Sequence, residues 1–108
     1  MASRNAVYRR PLAIADIVSH SENIAVHNLG SALRFLDALE STIDLLSLFP
    51  EAGGLVPVRR TELEGLRAKL IVGFSNYILL YFADENIVDI VRVIRGGQDL
   101  DSISLDAK

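Results

Sequence analysis

The spacing of apolar residues changes once along the chain, close to Gly53-Gly54. Before this point apolar residues recur at steps of three and four, and after it they alternate with polar residues. Steps of three and four place side chains on one face of a helix, whereas alternation places them on one face of a strand. The pattern therefore predicts a helical first half and a stranded second half.

The helical half is predicted to form two helices, Pro11 to Asn28 and Ser31 to Leu48. Pro11 has no N–H and a fixed φ, which suits the first turn of a helix. Asn28-Leu29-Gly30 interrupts the pattern, and Ser31 is suited to cap the second helix. So short a connection predicts an antiparallel helical hairpin. The expected buried positions are Ile14, Ile17, Val18, Ile24 and Ala25 in the first helix, and Ala32, Leu33, Phe35, Leu36, Leu39, Ile43 and Leu46 in the second.

Four strands are predicted, one before the helices and three after them. The first is Ala6 to Arg10, and the others are Leu66 to Gly73, Asn76 to Ala83 and Ile87 to Ile94. The run "YILLYF" is apolar on both faces, which favours a central position, and short turns favour an antiparallel meander. The predicted fold is α+β, in the order β-α-α-β-β-β, with the helical hairpin on one face of a small, mainly antiparallel sheet.

The predicted sheet has two apolar faces, and the helical hairpin can cover only one. Simple alternation places Arg92 on an otherwise apolar face of the last strand. It also places four apolar residues on one face of the sheet: Ile78, Leu80, Ile90 and Ile94. This face or its opposite requires a further cover. The cover is a partner protein, a second copy, or the chain's own tail from Leu100 to Leu105.

Composition argues against several classes of protein. A length of 108 residues favours one domain over residues 1–108, and a hydrophobic content of 50% favours a packed core. The longest uncharged stretch, Leu70 to Ala83, is shorter than the roughly 20 residues of a membrane span. The chain has no cysteine and two histidines, so neither a metal nor another cofactor is expected. A net charge of -3 disfavours direct binding of nucleic acid by the chain alone.

Several segments, taken together and in order, resemble a known family. They are "YRRPLAIADI", "ALRFLDAL", "LFPEAGG", the pair Leu66-Arg67, "YILLYF" and "IVRVIRGGQDL". With these segments the chain resembles the plasmid-stabilisation toxins of the RelE/ParE superfamily over nearly its whole length. The resemblance implies a cytoplasmic toxin of a type II toxin–antitoxin system, held in a hetero-oligomer by a small ParD-like antitoxin. The antitoxin is then the expected cover of Ile78, Leu80, Ile90 and Ile94.

The superfamily contains two activities, and the residues of this chain favour one of them. RelE-like members cleave mRNA on the ribosome, which requires an acid, a base and cations around the phosphorane. The available cations are Arg67, Lys69, Arg92 and Arg95. The segment after the last strand offers no His or Tyr as acid or base, and Tyr77 and Tyr81 in the central strand are expected to be packing residues.

ParE-like members are associated with inhibition of DNA gyrase by binding. The segment "VIRGGQDL" and the acidic pI of about 5.2 favour this branch, for which no catalytic residues are expected. The expected target-binding residues are Arg92, Arg95, Gly96 and Gly97. An mRNA endonuclease, and a member that retains only antitoxin binding, stay open as alternatives.

Four polar residues of the chain also have simpler structural interpretations. Arg92 is as consistent with pairing to a carboxylate as with target binding. Asp16 matches a recurrent position of the family, but an acidic residue early in a helix also interacts favourably with the helix dipole. His20, like His27, falls near the polar face of the first helix and is expected to be exposed.

Overall fold

Two helices pack on one face of a five-stranded mixed sheet in the computed structural model, which describes residues 4–105. The helices are α1 (Pro11–His27) and α2 (Leu29–Leu48). The strands are β1 (Ala6–Arg9), β2 (Gly54–Leu55), β3 (Arg67–Ile71), β4 (Phe74–Ala83) and β5 (Ile87–Arg95), in the sheet order β1-β5-β4-β3-β2. β1 runs parallel to β5, and the other pairs are antiparallel. The predicted α+β fold is confirmed, with the two-residue strand β2 as an unpredicted addition.

The turn of the helical hairpin is tighter than predicted. Pro11 begins α1 as expected, but Asn28, not Ser31, caps α2. The side-chain oxygen of Asn28 accepts a hydrogen bond of 2.9 Å from the backbone N–H of Ser31. Asparagine is among the strongest N-cap residues, so α2 begins at Leu29 and includes Gly30 as a helical residue.

The helices bury narrower stripes than the apolar spacing predicts. The buried positions include Ala13 in α1 and Phe35 and Leu39 in α2. Ile14 and Val18 were expected in the core, but both are about half exposed. Both helices contact the sheet and each other from one side only, so apolar positions at the margin of the stripe stay open to solvent. No helix among the described residues is long and apolar enough to cross a membrane.

The core is divided by the sheet into two clusters. The helix-side cluster lies between the sheet and the helices and contains Ala13, Phe35, Leu39, Ile43, Leu46, Ile71, Leu79, Tyr81, Val88, Ile90 and Val93. The tail-side cluster lies on the opposite face and contains Leu66, Leu80, Val91, Ile94 and Ile103. Both faces of β4 are therefore buried, as its apolar sequence predicts.

A bulge in β5 reverses the simple alternation of its side chains. Leu80 pairs with Arg92 and Tyr81 pairs with Ile90, so Val91 has no partner on β4. Two residues then oppose one, and the side chains beyond the bulge change face. The prediction that Ile90 and Ile94 share a face is consequently wrong, because Ile90 lies on the helix side and Ile94 on the tail side.

The end of β3 buries one apolar residue and exposes its two neighbours. The register of β3 against β4 shifts between Leu70 and Ile71. Ile71 is buried in the helix-side cluster, whereas Leu70 and Val72 are exposed. Ile71 follows the alternation of the strand, because Arg67 and Lys69 also lie on the helix side of the sheet.

The second apolar face is covered by the tail of the chain itself. Ile103 is 6% exposed and belongs to the tail-side cluster, against which Leu100 and Leu105 also pack. Of the three covers that the sequence leaves open, the chain's own tail is present in this structure. The tail is thus part of the packed core and not a free extension.

Tyr81 fixes the loop that follows α2. Its hydroxyl donates a hydrogen bond of 2.7 Å to the carbonyl of Pro50 and accepts one of 2.8 Å from the N–H of Gly53. Burial is the largest influence on this hydroxyl and raises its pKa, so the group stays protonated near neutral pH. A Cβ at Gly53 would lie 2.6 Å from the Tyr81 hydroxyl oxygen. Tyr81 is therefore a packing tyrosine, and Gly53 is required by close approach.

Leu39→Asp is expected to unfold the protein. Leu39 is 0% exposed, and an unpaired charge in a core costs several kcal/mol against a total stability of about 5–15 kcal/mol. Leu33→Asp is the matched control, because Leu33 lies on the same helix and is 56% exposed. Thermal unfolding followed by circular dichroism measures both. Equal melting of the two variants would contradict the position of α2.

Gly53→Ala is expected to destabilise the protein by about 1–3 kcal/mol, because the added methyl group overlaps the Tyr81 hydroxyl and the carbonyl of Ala68. Gly54→Ala is the control, since nothing lies within 4 Å of a Cβ at that position. Urea unfolding gives the two free energies. A Gly53→Ala variant as stable as Gly54→Ala would show that the loop is not held by Tyr81.

Candidate functional site

Arg92 joins three parts of the chain at the bulge of β5. Its Nε donates to Asp16 Oδ2 at 2.7 Å and its Nη2 donates to Asp16 Oδ1 at 2.9 Å. Its Nη1 donates to the carbonyl of Ser104 at 2.8 Å. The hydrogen bond with Asp16 is the main cause of a raised pKa for Arg92, so the guanidinium stays charged. The carboxylate partner that the sequence leaves open for Arg92 is Asp16 of α1.

The same region of α1 also forms hydrogen bonds with backbone groups at the open edge of β5. β1 pairs with β5 only as far as Ile90, so within residues 4–105 no strand covers the edge beyond that residue. Asp16 Oδ2 accepts a hydrogen bond of 3.0 Å from the N–H of Val93, and His20 Nε2 lies 2.7 Å from the carbonyl of Val93. A carbonyl can only accept, so His20 Nε2 carries the proton.

His20 is half-buried, which corrects the expectation that it is exposed. Its ring packs edge-on against Tyr77, with centroids 5.0 Å apart. Asp16 and His20 are four residues apart and share one face of α1. Two polar residues at this spacing, next to the apolar face of the helix, are the feature of the sequence that could have indicated that Asp16 and His20 contact β5.

Residues 99–105, which we call the C-terminal strap, are held by a second arginine. Arg60 Nη1 donates to the carbonyls of Asp101 and Ile103, at 3.1 and 2.7 Å. Asp101 Oδ1 accepts from the N–H groups of Arg59 and Arg60, at 2.7 and 3.1 Å. Together with the bond from Arg92 to Ser104, these contacts fasten the strap over the tail-side cluster.

Arg95, the last residue of β5, and the two glycines after it form an exposed end of the strand. The Arg95 guanidinium carbon lies 5.8 Å from the centre of the Tyr77 ring, a cation–π distance. Gly97 has φ +94°, a conformation that favours glycine. Two clefts flank Arg95, one of about 410 Å³ beside His27 and one of about 490 Å³ beside Asn76. Among the described residues that line these clefts, none is acidic.

The four cations that a nuclease would require do not lie on one face. Arg67 pairs with Tyr81, Lys69 with Leu79 and Arg95 with Tyr77, which places all three cations on the helix side of the sheet. Arg92 pairs with Leu80 on the tail side. Arg67 is also engaged, because its Nη1 donates to the carbonyl of Gly53 at 2.7 Å.

The expected target-binding residues are adjacent in sequence but differ in accessibility. Arg95, Gly96 and Gly97 are exposed. Arg92 has a side chain only 19% exposed and is bonded to Asp16 and Ser104. The structure thus separates an accessible segment, Arg95 to Gly97, from an arginine that holds the fold together.

The expected antitoxin-binding residues do not form one open surface. Leu80 and Ile94 lie beneath the strap, and Ile78 packs at the margin of the same cluster. Ile90 is buried on the helix side. Their role in binding an antitoxin stays a prediction, and in this conformation it requires the strap to move.

Asp16→Ala and Arg92→Ala are expected to destabilise the protein non-additively, with a coupling free energy of about 1–3 kcal/mol in a double-mutant cycle. The reason is that both side chains are mostly buried, at 15% and 19% exposure, and each leaves the other unpaired. Arg4 and Asp44, at 58% and 75% exposure, form the control pair. Their coupling should be below about 1 kcal/mol. Equal coupling in both cycles would contradict a structural role for Asp16.

Comparisons with known proteins agree with this architecture. A solved structure described as "Chromosomal ParDE TA system from P. aeruginosa" superposes with a TM-score of 0.67 at 16% sequence identity. The match covers 85% of this chain and 96% of that chain, and at this identity it shows the shared fold. No curated protein sequence matches the chain.

A shared fold does not by itself show the family of the chain, but a match to a sequence family does. The family described as "ParE toxin of type II toxin-antitoxin system, parDE" matches residues 7–100. The matched range begins in β1 and ends at the start of the strap, so it includes both helices, β2 to β5 and most of β1. The chain therefore belongs to the ParE toxin family of type II toxin–antitoxin systems.

Proposed function

We propose that this ParE-family toxin inhibits DNA gyrase by binding, and that a cognate antitoxin neutralises it. The family match supports the ParE branch of the superfamily. The observation that carries the proposal is the accessible end of β5, where Arg95 stands between two clefts without acidic residues in their described lining. Such a cation is available to an acidic group of a target protein.

The dispersion of the candidate nuclease residues supports binding over bond cleavage. Arg92 lies on the opposite face of the sheet from Arg67 and Lys69. Tyr81, one of the two tyrosines that could have served as acid or base, is 0% exposed and bonded to the loop after α2. General acid–base catalysis requires such groups to converge on the substrate.

Neutralisation by an antitoxin follows two routes compatible with the fold. An antitoxin segment takes the place of the strap over Leu80 and Ile94, or it binds a surface that is already open. The first route breaks the bonds from Arg60 and Arg92 to the strap carbonyls and must replace them. The second route leaves the strap in place and therefore costs less rearrangement.

Arg95→Glu is expected to weaken inhibition of gyrase supercoiling by about tenfold or more, because charge reversal replaces an attraction by a repulsion. Arg59→Glu is the control, since Arg59 is also exposed and the change in charge is the same. Both variants should melt close to the parent. The measurement is supercoiling by purified gyrase, with ribosome-bound mRNA tested for cleavage in parallel.

Two outcomes would overturn this proposal. Codon-positioned mRNA cleavage that Arg67→Ala or Lys69→Ala abolishes would indicate the endonuclease. Binding of the antitoxin with neither activity would indicate a member that retains only antitoxin binding. Truncation after Gly97 is not a clean test, because it removes Ile103 and uncovers the tail-side cluster.

A further inference from the structure

A groove of about 640 Å³ lies between the loop after α2 and the turn from β4 to β5. It is at the opposite end of these strands from Arg95, since Tyr77 pairs with Arg95 and the groove begins at Ala83. One wall is formed by Leu48, Phe49, Pro50, Glu51 and Ala52, and the other by Asn5, Ala83, Asp84 and Glu85, with Arg67 also in the lining.

Both walls of the groove are fixed before any partner arrives. The first wall is held by the hydrogen bonds that Tyr81 makes with Pro50 and Gly53. In the second wall, Asp84 Oδ1 accepts hydrogen bonds of 2.7 Å from the N–H groups of Asn86 and Ile87. A preorganised groove loses little conformational entropy on binding, which favours its use as a recognition surface.

The chemistry of the groove is apolar at its wall and acidic at its rim. Phe49, the C-cap residue directly after α2, is 60% exposed. Glu51 and Glu85 are exposed, and neither forms a salt bridge with any residue in the range 4–105. The carbonyl end of α2 also favours a cation at this position.

Arg67, the cation in the lining, does not neutralise the rim. Its Nη1 donates to backbone carbonyls, at 2.7 Å to Gly53 and 3.5 Å to Glu51. The carboxylates of Glu51 and Glu85 therefore remain available for an external cation. An exposed aromatic ring in a groove with two carboxylates that no described residue pairs is complementary to an apolar side chain flanked by lysine or arginine.

We propose that this groove binds a segment of the antitoxin in which an apolar side chain packs on Phe49 and flanking basic residues face Glu51 and Glu85. The choice of the antitoxin as the partner rests on the proposed function, whereas the chemistry of the groove does not. The groove is open while Leu80 and Ile94 are covered, so it offers the route that leaves the strap in place. A second copy is disfavoured, because the chain itself carries a net charge of -3.

The chemistry is tested by titrating the ¹⁵N-labelled protein with a synthetic peptide of alternating leucine and lysine. A matched peptide of alternating leucine and glutamate is the control. The basic peptide is expected to shift the amide signals of Phe49, Ala52 and Glu85, and the acidic peptide is not. Equal shifts with both peptides, shifts confined to other surfaces, or no shifts at millimolar peptide would overturn the proposal.

Charge reversal provides a matched pair of variants. Glu51→Lys with Glu85→Lys is expected to weaken binding of the basic peptide by about tenfold, since each pair contributes little alone and both become repulsive. Glu22→Lys with Glu64→Lys changes the net charge equally at exposed positions outside the groove and should bind like the parent. If both double variants lost the same amount of affinity for the basic peptide, the net charge of the protein would explain the effect. That result would overturn the proposed site.

A purified candidate antitoxin separates this inference from the proposed function. Phe49→Ala is expected to weaken its binding, with Val26→Ala, exposed at the end of α1, as the control. An antitoxin that binds the parent and the Phe49 and Glu51/Glu85 variants equally well would refute the groove and leave the proposed function standing. An antitoxin that binds neither the parent nor any variant would refute the proposed function. The peptide titration would then still show whether the groove binds a basic and apolar segment.

Discussion

The bidentate ion pair between Asp16 and Arg92 is the contact on which the arrangement of the whole sheet depends. It joins α1 to β5 at the point where β1 ends, and the same arginine reaches the backbone of the strap. Without this contact the open edge of β5 would lose a hydrogen-bond partner at Val93. A single pair thus links the helix layer, the sheet and the cover of its second face.

The elements of the fold could be predicted because they depend on local spacing and on residues that begin or end helices. Pro11 and the change of period near Gly54 are enough to divide the chain into a helical hairpin and a meander. The bulge at Val91 could not be predicted in this way, because it arises from the pairing of β5 with β4 and not from the sequence of β5 alone. For this reason the prediction that placed Ile90 on the same face as Ile78, Leu80 and Ile94 was wrong.

The candidate functional residues also differ in whether local sequence was enough to predict them. Arg95 and the glycines after it were predicted from the sequence, and their accessibility in the structure is consistent with a binding role. The groove beside Phe49 was not predicted, because its walls come from segments far apart in the sequence, the end of α2 and the turn after Ala83. The two surfaces lie at opposite ends of β4 and β5 and differ in charge, so one partner need not exclude the other.

The parallel pairing of β1 with β5 has a consequence for synthesis of the protein. β1 leaves the ribosome before the two helices and the other described strands, but its partner in the sheet is β5, the last of these strands to be synthesised. Contacts between such distant segments form late, since most of the chain must be ordered before they are made. Arg10 binds Asp89 across the same junction, so the start of α1 is also anchored only at that stage. A nascent chain that ends before Ile87 therefore has neither a closed sheet nor the Arg95 surface, and both arise only after β5 has been synthesised.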